Sequence, residues 1–250
     1  MLTKTLKFDD DVLEIVRGMK WEKDGKIGKL ACGQLDRAMY EKVNKALVSM
    51  GGKWNRSAGG HVFALDPRGQ VEGLLESGTL TTEKDGFFET PKAVVKMMFD
   101  LVPLPKSDDA TILEPSAGLG AIARHLRGRL TLIEKNPQRC KELERQFDRV
   151  ICMDFLEYLP EDGKFDLIYM NPPFENGQDI DHVIHAHRCL ANGGTMVSVM
   201  CEGPFFRRDR KSREFRQWLQ IWHGYSESLP AESFRASGTD INARLVRIEK

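Results

Sequence analysis

After residue 87, apolar positions fall into short runs closed by polar or turn residues. Thr111–Leu113, Leu130–Glu134, Val150–Met153, Phe165–Met170, Thr195–Met200 and Ala243–Ile248 predict six strands, with helical spacing between most of them. A helix, a strand and then alternating helices and strands predict an α/β architecture with a doubly wound sheet over 86–250. The first 85 residues follow another pattern. Leu35, Met39, Val43 and Leu47 recur every four positions ahead of Gly51-Gly52, predicting one amphipathic helix over 35–50. His61–Leu65 then reads as a short strand ending at Asp66-Pro67, and 74–85 as a polar connector. A small α+β module over 1–85 is therefore expected to precede the sheet domain.

Composition narrows the classes only slightly. With 41% hydrophobic and 30% charged residues, the chain resembles an ordinary globular protein and is too apolar for a disordered one. Lys+Arg and Asp+Glu are 37 each, so any electropositive surface must be local. Cys32, Cys140, Cys152, Cys189 and Cys201 form no CxxC pair and read as reduced thiols. The first ten residues are charged, and no stretch approaches the roughly 20 apolar residues of a membrane span, so a cytoplasmic protein is expected. His182, His185 and His187 fall on a predicted helix, where only the first two share a face, and no metal site is expected.

The candidate chemistry gathers at predicted strand ends, where ligands bind in open α/β sheets. Glu114-Pro115-Ser116-Ala117-Gly118 follows the first strand as a Gly-containing turn expected to open a helix. Glu134 ends the second strand, where an acid can accept from both ribose hydroxyls. Asp154-Phe155 ends the third, offering an acceptor for an adenine amino group beside an aromatic face. Together these describe an adenosine-bearing cofactor. A carboxylate at Glu114 would repel a diphosphate but suit a sulfonium and an ammonium, which favours S-adenosylmethionine over a nicotinamide dinucleotide. Asn171-Pro172-Pro173-Phe174 follows Phe165–Met170. The Asn171 side-chain oxygen and the Pro172 carbonyl could accept the two hydrogens of a planar amine, the prolines stiffen the corner, and Phe174 offers a stacking face. The same residues would equally serve as a Pro-rich strand end with Phe174 in the core.

The ordered series Phe88-Glu89-Thr90-Pro91, Glu114-Pro115-Ser116-Ala117-Gly118, Glu134, Asp154-Phe155 and Asn171-Pro172-Pro173-Phe174 resembles the N6-adenine DNA methyltransferases, over about residues 86–200. The resemblance implies a Rossmann-like class I methyltransferase sheet, S-adenosylmethionine as cofactor, DNA as substrate and methyl transfer to N6 of a flipped-out adenine. It also implies that Phe88, Thr90 and Pro91 lie against the methionine part of the cofactor. Ribosomal RNA methyltransferases and the enzymes that modify glutamine in release factors use similar tetrapeptides, so an RNA amino group or a protein amide is the alternative substrate. The sequence departs from the family in showing no separate target-recognition domain after the catalytic part. DNA recognition is therefore expected of the N-terminal module, through Lys53 and Arg56, or of the loop Glu202–Trp218. That loop carries Arg207, Arg208, Arg210 and Lys211 among aromatic residues, and a solvated helix face is its other reading.

Overall fold

The computed structural model describes residues 3–23, 25–83, 88–160, 164–237, 239 and 241–250. Two units are resolved by their internal contacts, Met1–Asp85 and Gly86–Lys250. The first carries β1 (Thr3–Lys7), α1 (Asp10–Arg17), β2 (Lys20–Glu22), β3 (Ile27–Lys29), α2 (Arg37–Ser49), β4 (Lys53–Asn55), β5 (Gly60–Val62), α3 (Arg68–Ser77) and β6 (Thr79–Glu83). Strands β2, β3, β5 and β4 form an antiparallel sheet, while β1 pairs with β6. Asp36 caps α2 by accepting from the Met39 N–H, and Val43 and Leu47 on its apolar stripe are fully buried. The stretch 74–85 is not the expected connector. It holds the end of α3, closed by left-handed Gly78, and then β6, whose one inward apolar side chain, Leu80, lies opposite Leu6. One buried residue between threonines is too weak an alternation to reveal a strand.

In the second unit α4 (Lys92–Leu101) leads into β7 (Thr111–Pro115), β8 (Arg129–Glu134), α5 (Pro137–Glu144), β9 (Val150–Cys152) and β10 (Phe165–Met170). Then follow α6 (Gln178–Cys189), β11 (Leu190–Cys201), α7 (Gly203–Phe206), α8 (Arg210–Ile221), β12 (Tyr225–Ser228) and β13 (Ala243–Glu249). The sheet order is β12-β13-β11-β10-β7-β8-β9, with β13 antiparallel to both its neighbours and the other pairs parallel. This is a Rossmann-like, doubly wound sheet with an antiparallel strand beside one edge. The chain moves outward from β7 through β8 and β9 on one side, then returns to β10 and β11 on the other. The switch point, with its crevice at the carboxyl ends, therefore lies between β7 and β10.

Alternation along β10 shows why the run Phe165–Met170 had to be a buried strand. Ile168 and Met170 face one core with Val183 and Ala186 of α6 and Phe215 of α8. Tyr169 faces the other, with Val94, Val95 and Met98 of α4. The Tyr169 hydroxyl donates to the carbonyl of Val102 at 3.0 Å, so its one polar atom is satisfied inside the core. The edge strand β12 was not expected, because Tyr-Ser-Glu-Ser has no inward apolar residue to mark it. No described helix is long and apolar enough to cross a membrane.

Candidate active site at the carboxyl rim of the sheet

Asn171 leaves the end of β10 with its amide fixed at one end. Nδ2 donates to the Phe88 carbonyl at 3.2 Å and to Thr90 Oγ1 at 3.0 Å. A carbonyl only accepts, so the nitrogen must face Phe88 and the oxygen must face away. That oxygen, Oδ1, is buried and has no partner. Pro172 is buried, while Phe174 is half-buried and set edge to face with Phe234 at 6.4 Å.

The segment that grips Asn171 is itself tied down. Thr90 is buried, and Pro91 starts α4 by accepting from the Val94 and Val95 N–H groups. Ser237 Oγ donates to the Glu89 carbonyl at 2.6 Å, and Arg124 approaches Glu89 Oε1 at 3.6 Å while donating to the Leu119 carbonyl. Arg124 and Ser237 thus join the 88–91 segment to the Gly-containing turn and to the loop before β13. From sequence Ser237 reads as part of a turn before the last strand, and Arg124 carries no signal, because an isolated polar residue gives no pattern.

Across the switch point, the turn after β7 bends through Ser116, Gly118 and Gly120, with φ of 57°, 59° and 76°. The left-handed Ser116 is a non-glycine residue in a conformation that costs energy and is characteristic of ligand clamps. The turn does not open an α-helix as expected. It passes into a single 3-10 turn, Ala123–His125. Beside that turn the Glu114 carboxyl reaches inward to the N–H groups of Ile122 and Ala123. Glu114 is 2% exposed, and its second oxygen, Oε2, is buried with no partner. Burial pushes its pKa well above the ordinary 4.5, against a smaller lowering by those N–H donors. Burial thus favours the neutral acid in the free protein, and Glu114 is not the charged group expected to repel a diphosphate.

The raised pKa has a consequence for stability. Between about pH 4.5 and its folded value, Glu114 holds a proton that the unfolded chain has released, so folding takes up a proton and stability falls as pH rises. Asp179, fully buried and raised by burial, adds the same sign. Glu114→Gln is expected to flatten this dependence, removing up to about 1.4 kcal/mol per pH unit across that window. Denaturant midpoints of both proteins at pH 5 and pH 8 check it.

Glu134 is also not the free acceptor expected. At 4% exposure, Oε2 accepts from the Gly118 N–H at 2.8 Å, and Oε1 accepts from the Asn136 N–H at 2.9 Å and Arg139 Nε at 3.1 Å. A terminal nitrogen of Arg139 also faces Oε1 at 3.1 Å, so that oxygen is fully engaged, while Oε2 has one donor for its two acceptor positions. Asp154 is half-buried and spends Oδ1 on the Leu156 N–H. Phe155 is corrected to a core residue. Its ring is 2% exposed and packs on His182 and His185, the two histidines that share a face of α6. Those histidines are engaged with the carbonyls of Gln178 and Tyr158, and His187 lies against Trp218 and Trp222. Among the described residues no group of three metal-ligating side chains occurs.

The basic residues divide in a way that the sequence did not show. Arg210 is bonded to Glu214 at 2.6 Å and Lys211 to Asp181 at 2.6 Å, so both are spent on local ion pairs. Arg207 and Arg208 are exposed, as are Lys53 and Arg56 in the first unit.

No protein-family model matches the chain, and no curated protein matches it in sequence. The fold does match solved structures. The type I restriction-modification methyltransferase subunit of Streptococcus thermophilus aligns with TM-score 0.57 and 20% identity over 74% of this chain and 48% of that one. A Vibrio vulnificus protein assigned as the modification subunit of a type I restriction enzyme aligns with TM-score 0.54 and 19% identity, over 98% and 59%. A Listeria monocytogenes protein assigned to the class I S-adenosylmethionine-dependent methyltransferases gives TM-score 0.54 and 13% identity, over 67% and 62%. The chain thus spans between 48% and 62% of the length of these structures. The fold they share with it is that of class I methyltransferases.

Proposed function

We propose that the second unit is an S-adenosylmethionine-dependent methyltransferase that modifies N6 of adenine in DNA. The observation that carries this reading is the orphaned Asn171 Oδ1, held inward by the Phe88 and Thr90 contacts. A buried acceptor without a donor needs an explanation. A planar amine supplies one, since it brings N–H bonds to the rim where ligands of this fold are bound.

The residues fit the methyl donor on grounds of their own. Glu114 Oε2 is a buried carboxyl oxygen without a partner beside the switch point, suited to a ligand that brings polar groups of its own. Phe88, Thr90, Pro91, the turn Glu114–Gly118, Glu134 and Asp154 are the residues proposed to hold it. When bound, the donor supplies an electrophilic methyl group on a sulfonium. Asn171 orients the amine by accepting one N–H, and fixed placement of two reactants is the main resource of such a site. Phe174 offers its exposed side to the base. Stacking there would offset about 1–3 kcal/mol of the cost of unstacking it. The proton leaves the nitrogen only after the methyl has joined it and passes to water, so no strong base is required.

Incubation with a labelled methyl donor and, in parallel, unmethylated DNA, ribosomal RNA and protein extract, followed by nucleoside analysis, tests the proposal. Label in N6-methyladenine of DNA is the expected result. Label in RNA or protein alone would end the DNA reading and leave the amine-handling site in place.

A further inference from the structure

Among the exposed large hydrophobic residues of the second unit, Phe206 stands at 68% exposure in a segment that is otherwise fastened down. It ends α7, which follows β11 directly, so it leaves the same carboxyl rim as Asn171 of the neighbouring β10. Phe205 turns inward, edge to face with Phe215, and carries the Arg244 guanidinium 4.2 Å above its ring. Arg216 donates to the carbonyls of Pro204 at 2.6 Å and Arg207 at 3.0 Å, bracing the segment from beneath. Phe206 is therefore presented on a braced segment with most of its surface exposed.

The charges beside it sort into spent and available. Glu202 faces Arg244 and accepts from Ser228, while Asp209 caps α8 by accepting from the N–H and hydroxyl of Ser212. Arg210 and Lys211 are occupied by Glu214 and Asp181. Arg207 and Arg208 have no ion pair among the described residues. Arg207 lies back over Gly203, where a Cβ would come 3.0 Å from the guanidinium carbon, which holds its charge close to the end of β11. An aromatic face next to two available guanidinium groups is the combination that binds a polynucleotide strand, the ring stacking on a base and the cations facing phosphates.

We propose that Phe206, Arg207 and Arg208 form a braced spur that holds the DNA strand along the rim, with Phe206 stacked on one of its bases. The proposal rests on the nucleic-acid reading of the site but assigns it a separate binding element. Its test is binding rather than methyl transfer. Fluorescence anisotropy of the full chain with labelled single-stranded DNA, duplex DNA and single-stranded RNA, at several salt concentrations, gives affinity and salt dependence. Phe206→Ala is expected to weaken single-stranded DNA binding by about 5- to 150-fold. Replacing Arg207 and Arg208 together by Ala should make the log–log salt slope shallower by about 1.4, the contribution of two phosphate contacts on a single strand. Arg210→Ala, which removes an already paired cation, should bind as wild type. All three changes are on exposed side chains, and an unchanged melting temperature shows that each variant folds. Wild-type affinity and slope in the Phe206 and Arg207/Arg208 variants would overturn the spur, as would an equal loss in Arg210→Ala or binding to RNA alone. Intact DNA binding without methyl transfer would instead count against the function proposed for Asn171.

Discussion

Asn171→Ala is expected to lower methyl transfer by about 10³-fold or more while leaving methyl-donor affinity within a few-fold of wild type. The side chain does its work through one atom. Oδ1 is aimed by the two bonds that Nδ2 makes to Phe88 and Thr90, and alanine removes both the acceptor and its anchor. Loss of one preorganised group at a reacting centre costs about 10²–10³ in rate. A substrate nitrogen displaced by even about 1 Å can lose a further 10². Two milder variants separate aiming from accepting. Thr90→Val leaves the Phe88 carbonyl to hold the amide, so a loss of roughly tenfold is expected. Asn171→Asp keeps an acceptor but turns an oxygen toward the Phe88 carbonyl, and the repulsion should displace the group, with a loss nearer that of alanine. Single-turnover rates with calorimetric titration of the donor measure both quantities. An Asn171→Ala protein with the wild-type rate would refute the amine-handling role.

Local signals and long-range contacts explain what could be read from the chain. The run Phe165–Met170 is a strand at its expected bounds, because Phe165, Ile168, Tyr169 and Met170 are buried and Leu167 half-buried between two cores, which leaves an apolar signature broken only by exposed Asp166. The switch point follows from the order of helices and strands, and with it the placing of residues 114 and 171 at one rim. The directions of the acidic side chains did not follow. Sequence puts Glu114 and Glu134 at strand ends, but whether a carboxyl faces a ligand or the protein depends on donors elsewhere in the chain. Ile122 and Ala123 draw Glu114 inward, and Gly118 and Arg139 engage Glu134. Phe155 was misread for a related reason. Its partners are histidines of α6, nearly thirty positions on, and a ring beside an acid looks alike in a pocket and in a core.

Glu134→Ala is the change expected to damage the fold most, because Glu134 is where the turn, the sheet and α5 meet. Glu134 and Arg139 are 4% and 7% exposed, and Arg139 approaches Oε1 through Nε and a terminal nitrogen, each at 3.1 Å. Removing the acid takes from the buried Arg139 guanidinium the carboxylate it faces, and leaves two backbone N–H groups, of Gly118 and Asn136, without that acceptor. Breaking a buried pair from one side costs about 3–5 kcal/mol, a large part of the 5–15 kcal/mol that holds a domain folded. For a unit of this size, that lowers the melting temperature by about 6–20 °C. Glu134→Gln should cost less, because an amide oxygen can still take the Gly118 N–H. Glu134→Ala combined with Arg139→Ala should recover part of the loss, since the charge that faced Glu134 is removed with it. Thermal and denaturant unfolding of the three variants measure the effect, and a loss below about 1 kcal/mol in Glu134→Ala would show that the buried pair does not hold the turn. The turn gives a second readout. With Gly118 released, the left-handed run from Ser116 to Gly120 loses its tie to β8. Donor affinity should then fall in Glu134→Ala, and less in Glu134→Gln, even at temperatures where the protein remains folded.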